Sequence, residues 1–172
     1  MLINLSNAIR SKNGQPIYST KWKHWKSELD LQTCAICDKM HGKIYEMNET
    51  PVPVPPVHLF CRCQIKAMEA IVAGYATTDG TAGADYWLQV YKQLPPNYIN
   101  KSQLQAAGWV RGDAPSDYVD GKMVTMGSYN NYDSHLPSAP GRIWYEADIN
   151  YDGGFRNRQR ILYSNDGLMF VS

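Results

Sequence analysis

The sequence predicts an α+β chain in two units, a small cysteine-bearing one followed by helices packed on an antiparallel sheet. Three observations predict it. All four cysteines lie between Cys34 and Cys63, whereas glycines and tyrosines concentrate after position 74. In the second half helix signals come first and strand signals afterwards, the order expected where helices cover an antiparallel sheet. The charge divides as well: nine basic and six acidic residues lie at or before Gly74, eight and ten after it, leaving +3 and −2. Between the halves, Gly74-Tyr-Ala-Thr-Thr-Asp-Gly-Thr-Ala-Gly83 is small, polar and glycine-rich, and reads as a linker. The expected organisation is therefore residues 1–74, a linker at 75–83, and a second unit at 84–172.

In the first unit, Lys21 to Asp30 carries two conflicting signals. Trp22 and Trp25 are spaced as on a helix face, while Lys21-Trp22-Lys23 alternates as in a strand. Tryptophan suits a half-buried sheet, which favours strand. Pro51-Val-Pro-Val-Pro-Pro-Val57 cannot be helical and should be extended. Gln64 to Val72 reads as a short helix. In the second unit, Asp85 to Lys92 places Tyr86 and Val90 at helical spacing, and Pro95-Pro96 ends that helix. Ser102 to Ala107 is a second helix, with Asn100 as its N-cap and Gly108 closing it. Strands follow at Val124–Tyr129, Arg142–Tyr151, Gln159–Tyr163 and Leu168–Val171, with hairpin turns expected at Asp152-Gly-Gly154 and Asn165-Asp-Gly167.

Composition narrows the function. At 44% hydrophobic and 19% charged, the 172-residue chain can bury a core. A net charge of +1 excludes a polybasic nucleic-acid coat and an acidic tail. No run approaches the roughly 18 apolar residues of a membrane span, and Met1 to Lys12 lacks the apolar stretch of an export signal. Neither export nor membrane insertion is expected.

Cys34-Ala-Ile-Cys37 and Cys61-Arg-Cys63, with His58 three positions before Cys61, offer five ligand-type side chains. A Cys-x2-Cys knuckle presents two thiolates to one ion, and the second cluster closes a tetrahedral zinc site from four of the five. Free thiols and disulfides are the competing readings, and the missing export signal argues against the latter. Such a zinc would be structural, since no acid or base stands beside it. The order Cys34-Ala-Ile-Cys37, His41-Gly-Lys-Ile-Tyr45, Pro55-Pro-Val-His-Leu-Phe-Cys-Arg-Cys63 resembles the C-terminal portion of the phage Mu F-like head morphogenesis family, over about residues 18–70. That resemblance implies portal or capsid proteins as partners and a virion-associated or bacterial cytoplasmic location.

In the second unit, Arg142-Ile-Trp-Tyr-Glu-Ala-Asp-Ile-Asn150 as a strand puts Trp144, Glu146 and Asp148 on one face and Tyr145, Ala147 and Ile149 on the other. Arg156, Arg158 and Arg160 follow at period two, and a hairpin would set them across from the two acids. Two readings stand on the residues alone: a cross-strand salt-bridge ladder, or a carboxylate base beside cations that hold a phosphate.

Leu94-Pro-Pro-Asn-Tyr-Ile-Asn-Lys-Ser102, Ala107-Gly-Trp109, Gly141 to Tyr151, Gly154-Phe-Arg-Asn157 and Arg160-Ile-Leu-Tyr-Ser164 are similar to the barnase family of microbial guanyl-specific ribonucleases, from about Thr78 onward. The resemblance implies helices followed by an antiparallel sheet, and RNA cleavage through a 2′,3′-cyclic phosphate with no catalytic cofactor. It implies Glu146 as general base, Arg156 and Arg160 as stabilisers of the transition state, and Lys101 as the active-site lysine. Arg142 and Asp148 would form an ion pair close to the site. Tyr129-Asn130-Asn131-Tyr132-Asp133 would be the guanine loop, with Asp133 in place of the family's glutamate and Tyr132 in place of its arginine. A barstar-like inhibitor is implied as a partner besides RNA. The family's general acid is a histidine beyond the strand matching Leu168–Val171, in front of a last strand, and the sequence ends at Ser172. The expectation is a C-terminally incomplete guanyl-preferring ribonuclease carried as a toxin or effector on a phage head-protein remnant. The alternative is a non-catalytic phage structural or RNA- or partner-binding protein.

Overall fold

A computed structural model describes residues 3–4 and 17–172. Its strands form a nine-stranded sheet: β1 (Ile3–Asn4), β2 (Ile17–Lys26), β3 (Ile44–Glu46), β4 (Gln64–Ala70), β5 (Tyr98–Asn100), β6 (Met123–Tyr129), β7 (Trp144–Asp148), β8 (Arg160–Ser164) and β9 (Met169–Val171). The spatial order is β3-β2-β4-β1-β9-β8-β7-β6-β5. Among the described residues three α-helices accompany it: α1 (Ala35–Met40), α2 (Ala84–Tyr91) and α3 (Lys101–Ala106). The α+β expectation holds, and most ladders are antiparallel. Two pairs are parallel, β1 with β4 and β5 with β6.

The strand expected around the two tryptophans is β2, and their odd spacing has a physical reason. Trp22 packs against Phe170, with ring centroids 5.8 Å apart, whereas Trp25 is buried with Met40 and Tyr45 in a separate cluster. A register shift in the β2–β4 ladder falls between Tyr18 and Lys23. The helix expected over Gln64–Val72 is instead β4, paired antiparallel with β2 from Lys26↔Gln64 to Ile17↔Ala70. Gln, Lys, Ala, Met and Glu favour helix locally, but the partner strand and the burial of Met68 and Ala70 decide the outcome. The proline-rich stretch 51–57 contains no helix.

In the second unit, α3 starts one residue earlier than expected. Its cap is a full capping box: Asn100 accepts from the Gln103 amide at 2.9 Å, and the Gln103 side chain accepts from the Asn100 amide. The buried face of α2 is Ala84, Asp85 and Leu88, while Val90 is exposed, so the aromatic spacing did not mark the core side. The turn at Asn165–Gly167 joins β8 to β9 as expected. Asp152-Gly153-Gly154 lies within a longer connection, residues 149–159, and not in a tight hairpin.

Segment 74–83 is no free tether. The Asp85 carboxylate is fully buried and accepts from the amides of Gly74 (2.6 Å) and Ala76 (3.0 Å) and from the Thr77 hydroxyl (3.0 Å). At Gly83 a Cβ would stand 1.9 Å from the Thr77 hydroxyl oxygen, so only glycine fits under that knot.

Two apolar layers flank the second half of the sheet. On one face Ala147, Ile149, Ile161, Met169 and Val171 pack against Ala84 and Leu88 of α2. On the other, Trp144, Leu162, Leu168 and Phe170 are buried together with Trp22, Ile44 and Met68 from the first half, and with Leu136. The two halves thus share a core as well as a sheet. Removing Trp22, 1% exposed, should therefore weaken both. We expect Trp22→Ala to cost about 3–5 kcal/mol, read by denaturant unfolding as one shifted transition and not as the loss of the first half alone.

Candidate active site

Strand β7 carries the two acids, and its burial pattern matches the expected faces. Ala147 and Ile149 lie under α2, while Trp144, Glu146 and Asp148 occupy the opposite side, where Trp144 is core and Glu146 is half-buried. Asp148 is fully buried. A carboxylate there requires cations and hydrogen bonds to offset its lost hydration. It has both. Arg156 reaches it bidentately, Nε to Oδ2 and Nη2 to Oδ1, each at 2.7 Å, and Arg160 Nε lies 3.0 Å from Oδ1. The Asp148 hydrogen bond holds the Arg156 guanidinium firmly protonated.

Arg156 Nη2 also stands 4.0 Å from Glu146 Oε1, so the buried acid positions a cation beside the more open one. Arg160 is fastened by the Asn157 side chain (3.3 Å) and the Gln159 carbonyl (2.7 Å). The three arginines do not form a strand row: only Arg160 lies in β8, opposite Asp148, and Arg156 arrives through the preceding loop. Arg158 is exposed and takes no part in the ion pairs of this centre. Neither a plain ladder nor a simple hairpin describes this arrangement.

Lys101 is exposed at the first position of α3, directly after Asn100, which is paired with Thr125 of β6. Thr125 is in turn paired with Ala147 and donates its hydroxyl to the Glu146 carbonyl at 2.7 Å. Lys101 therefore sits at the level of Glu146 two strands away, about 10 Å at the usual strand spacing.

The loop after β6 begins at Tyr129, paired with Trp144. Burial first, then the charges of Asp133 and Glu146, push the Tyr129 hydroxyl up. Asn130, Tyr132 and Asp133 are exposed. Asn131 closes the loop on itself: its Nδ2 donates to the Leu136 carbonyl at 2.7 Å and its Oδ1 accepts from the Leu136 amide at 3.0 Å.

The expected Arg142–Asp148 pair does not form. Arg142 binds Asp166 through Nε and Nη2 (2.8–3.1 Å) and the Pro137 carbonyl through Nη1 (2.9 Å). It precedes β7 at the end remote from Asp148, six residues of extended chain or about 20 Å away, and there it meets the β8–β9 turn. Sequence reasoning also missed Asp166. Its place in the Asn165-Asp-Gly167 turn was visible, but nothing local to that turn indicates a partner across the sheet. The four histidines lie elsewhere: His58 in the cysteine cluster, His24 and His41 beside each other on the first half, and His135 against Lys39.

The cysteine cluster assembles independently of this centre. Cys34 and Cys37 Sγ lie 3.2 and 3.3 Å from His58 Nε2, and Cys37 Sγ lies 3.8 Å from Cys61 Sγ. Cys34, Cys37 and His58 form one mutually close set and Cys37, Cys61 and Cys63 another. A tetrahedral zinc with sulfur at 2.3 Å separates its sulfurs by about 3.8 Å, so the donors fit that ion. Backbone amides pull the Cys34 thiol down and, against a burial cost, bring Cys61 to about 7. Burial and the neighbouring thiols push Cys37 up. His58 Nδ1 donates to the Leu59 carbonyl at 2.8 Å, which leaves Nε2 facing the sulfurs.

The α+β sheet thus presents a half-buried carboxylate beside two clamped arginines. The family of ribonucleases matches residues 82–171, and that of Phage Mu protein F like protein matches residues 4–66. The ribonuclease of Bacillus intermedius is 41% identical over 123 residues, 71% of this chain and 74% of its own length. The ribonucleases of Heyndrickxia coagulans and Bacillus pumilus are each 47% identical over 95 residues, 55% of this chain, and 84% and 57% of their own lengths. The chain belongs to the ribonuclease family and is of the endoribonuclease class. Among the described residues no helix is long and apolar enough to cross a membrane.

Asp148 is the contact on which the centre depends. Asp148→Ala would leave two guanidinium groups without their buried partner and should cost about 3–5 kcal/mol. Asp166→Ala, which breaks a half-exposed pair, should cost about 1 kcal/mol or less. Urea unfolding of both variants checks the contrast.

Proposed function

We propose that this chain is a guanyl-preferring RNA endonuclease that works by transphosphorylation to a 2′,3′-cyclic phosphate. The observation that carries this reading is Asp148 holding Arg156 and Arg160 at the flank of Glu146. Glu146 takes the proton of a ribose 2′-hydroxyl, the 2′ oxygen attacks phosphorus, and the 5′ oxygen leaves with the electron pair of its broken bond and takes a proton from water. Charge on the non-bridging oxygens is met by guanidinium N–H groups not engaged with Asp148, and by Lys101. The centre is preorganised, since the arginines do not have to move to find their positions.

Tyr129, Asn130, Asn131, Tyr132 and Asp133 form the base-recognition loop, with Asp133 accepting the paired N–H groups of guanine. A base without that donor pair leaves the carboxylate unpaired, which disfavours it. Arg142 supports the loop from behind through Pro137, in place of a direct contact with substrate. The first half is a phage-head-derived module held by one structural zinc on four of Cys34, Cys37, His58, Cys61 and Cys63, with Cys37 common to both groupings. The whole is read as a toxin or effector that associates with phage particles, with portal or capsid proteins and a barstar-like inhibitor as partners. The similarity of residues 4–66 to Phage Mu protein F like protein supports that setting.

Glu146→Gln keeps shape and removes the basic oxygen. It should lower cleavage of a guanine-containing dinucleotide by on the order of 10²–10⁴ while RNA affinity stays level or rises. Arg156→Ala should lower both. Equal cleavage by Glu146→Gln and parent would exclude the assigned base. For the metal, elemental analysis of chelator-free protein should find one zinc per chain, and Cys37→Ser should abolish it.

A further inference from the structure

The segment that ends the base-recognition loop is anchored on the cysteine-bearing half. The His135 carbonyl accepts from the Ile44 amide at 2.8 Å, and its ring Nε2 donates to the Lys39 carbonyl at 3.0 Å, which fixes Nε2 as protonated. Lys39 lies in the last turn of α1, the helix capped by Cys34. The next residue, Leu136, is 3% exposed and packs in the cluster that contains Trp22, Ile44 and Trp144. Leu136 is also the residue whose amide and carbonyl are both held by Asn131. Tyr129 on β6 fixes one end of the loop, and the Ile44–His135 and Lys39–His135 bonds fix the other. A cleft of about 450 Å³ lined by Lys43, Glu46 and Glu49 on one side and Ser134 and Pro137 on the other lies along this junction.

We infer that the cysteine-bearing half acts as a specificity element of the nuclease: through His135 it holds the loop 129–133 in the shape that accepts guanine. This rests on the reading of that loop as the base-recognition site. The chemistry is indirect. His135 touches neither base nor phosphate in this arrangement, so it is a positioning residue. Loss of its side chain removes the Lys39 tether, while the backbone bond from Ile44 and buried Leu136 remain; the closing end of the loop is loosened, and a loop that must be ordered on binding binds more weakly. The phosphate centre at Arg156 and Arg160 is held by Asp148 instead and should not respond.

Equilibrium binding of 3′-GMP, 3′-AMP and inorganic phosphate to the full chain separates the possibilities without relying on turnover. His135→Ala should lower the preference for 3′-GMP over 3′-AMP roughly two- to tenfold, the worth of one hydrogen bond, with phosphate affinity unchanged. His135→Gln, whose amide can still donate to the Lys39 carbonyl, should recover part of the preference. A parent that prefers 3′-GMP and a His135→Ala variant that prefers it equally would overturn the inference alone. A parent that binds 3′-GMP and 3′-AMP equally would overturn the base-loop reading and the inference with it. If His135→Ala loses phosphate and 3′-GMP binding in proportion, the role of His135 is general folding, and the inference also fails.

Discussion

A single buried carboxylate organises the catalytic half of this chain. Asp148 has no exposed surface, and such a charge persists only with partners close enough to replace water. Arg156 and Arg160 are those partners, and meeting the need of the acid fixes where both cations stand. The connection between β7 and β8 is shaped to the same end. Asn157 donates to the carbonyls of Ile149 and Asn150 and accepts from Arg160, so the loop is pinned at the level of the acid. Tyr98 closes the other side by donating to the Asp148 carbonyl at 2.5 Å. Stability and the placement of both cations thus come from one contact, and Glu146 stands half-buried beside Arg156.

Much of the second half could be read from the residues. The last four strands overlap the expected ones, the α3 cap is written in Asn100 and Gln103, and the faces of β7 follow from parity alone. Glu146, Asp148, Arg156 and Arg160 lie together, although Arg156 comes from a loop and not from the expected strand row. What failed was partner choice. Arg142 and Asp148 are both in one predicted strand, and only the strand's length and the far turn show that Arg142 meets Asp166. Local rules cannot supply such cross-sheet partners, because pairing depends on where the chain returns.

In the first half the sequence was less legible, for a related reason. Gln64–Ala70 is made of residues that favour helix, and the strand exists because β2 is beside it. Cys34, Cys37, His58, Cys61 and Cys63 were legible as a cluster, since ligand spacing is local. The contact of His135 with Lys39 and Ile44 has no signature at all. It joins positions nearly a hundred residues apart, and on the Lys39 and Ile44 side it uses only backbone atoms, which every residue possesses.

The shared apolar layer has a consequence for how this enzyme can be handled by evolution or by a protease. Trp144, Leu162 and Phe170 are covered by Trp22, Ile44 and Met68, so severing the chain between the halves would uncover an oily flank on the nuclease, not liberate a finished one. A junction of this kind is difficult to undo. Once side chains of the first half have become part of the second half's interior, each can drift only in step with the other, and the two are inherited as one object.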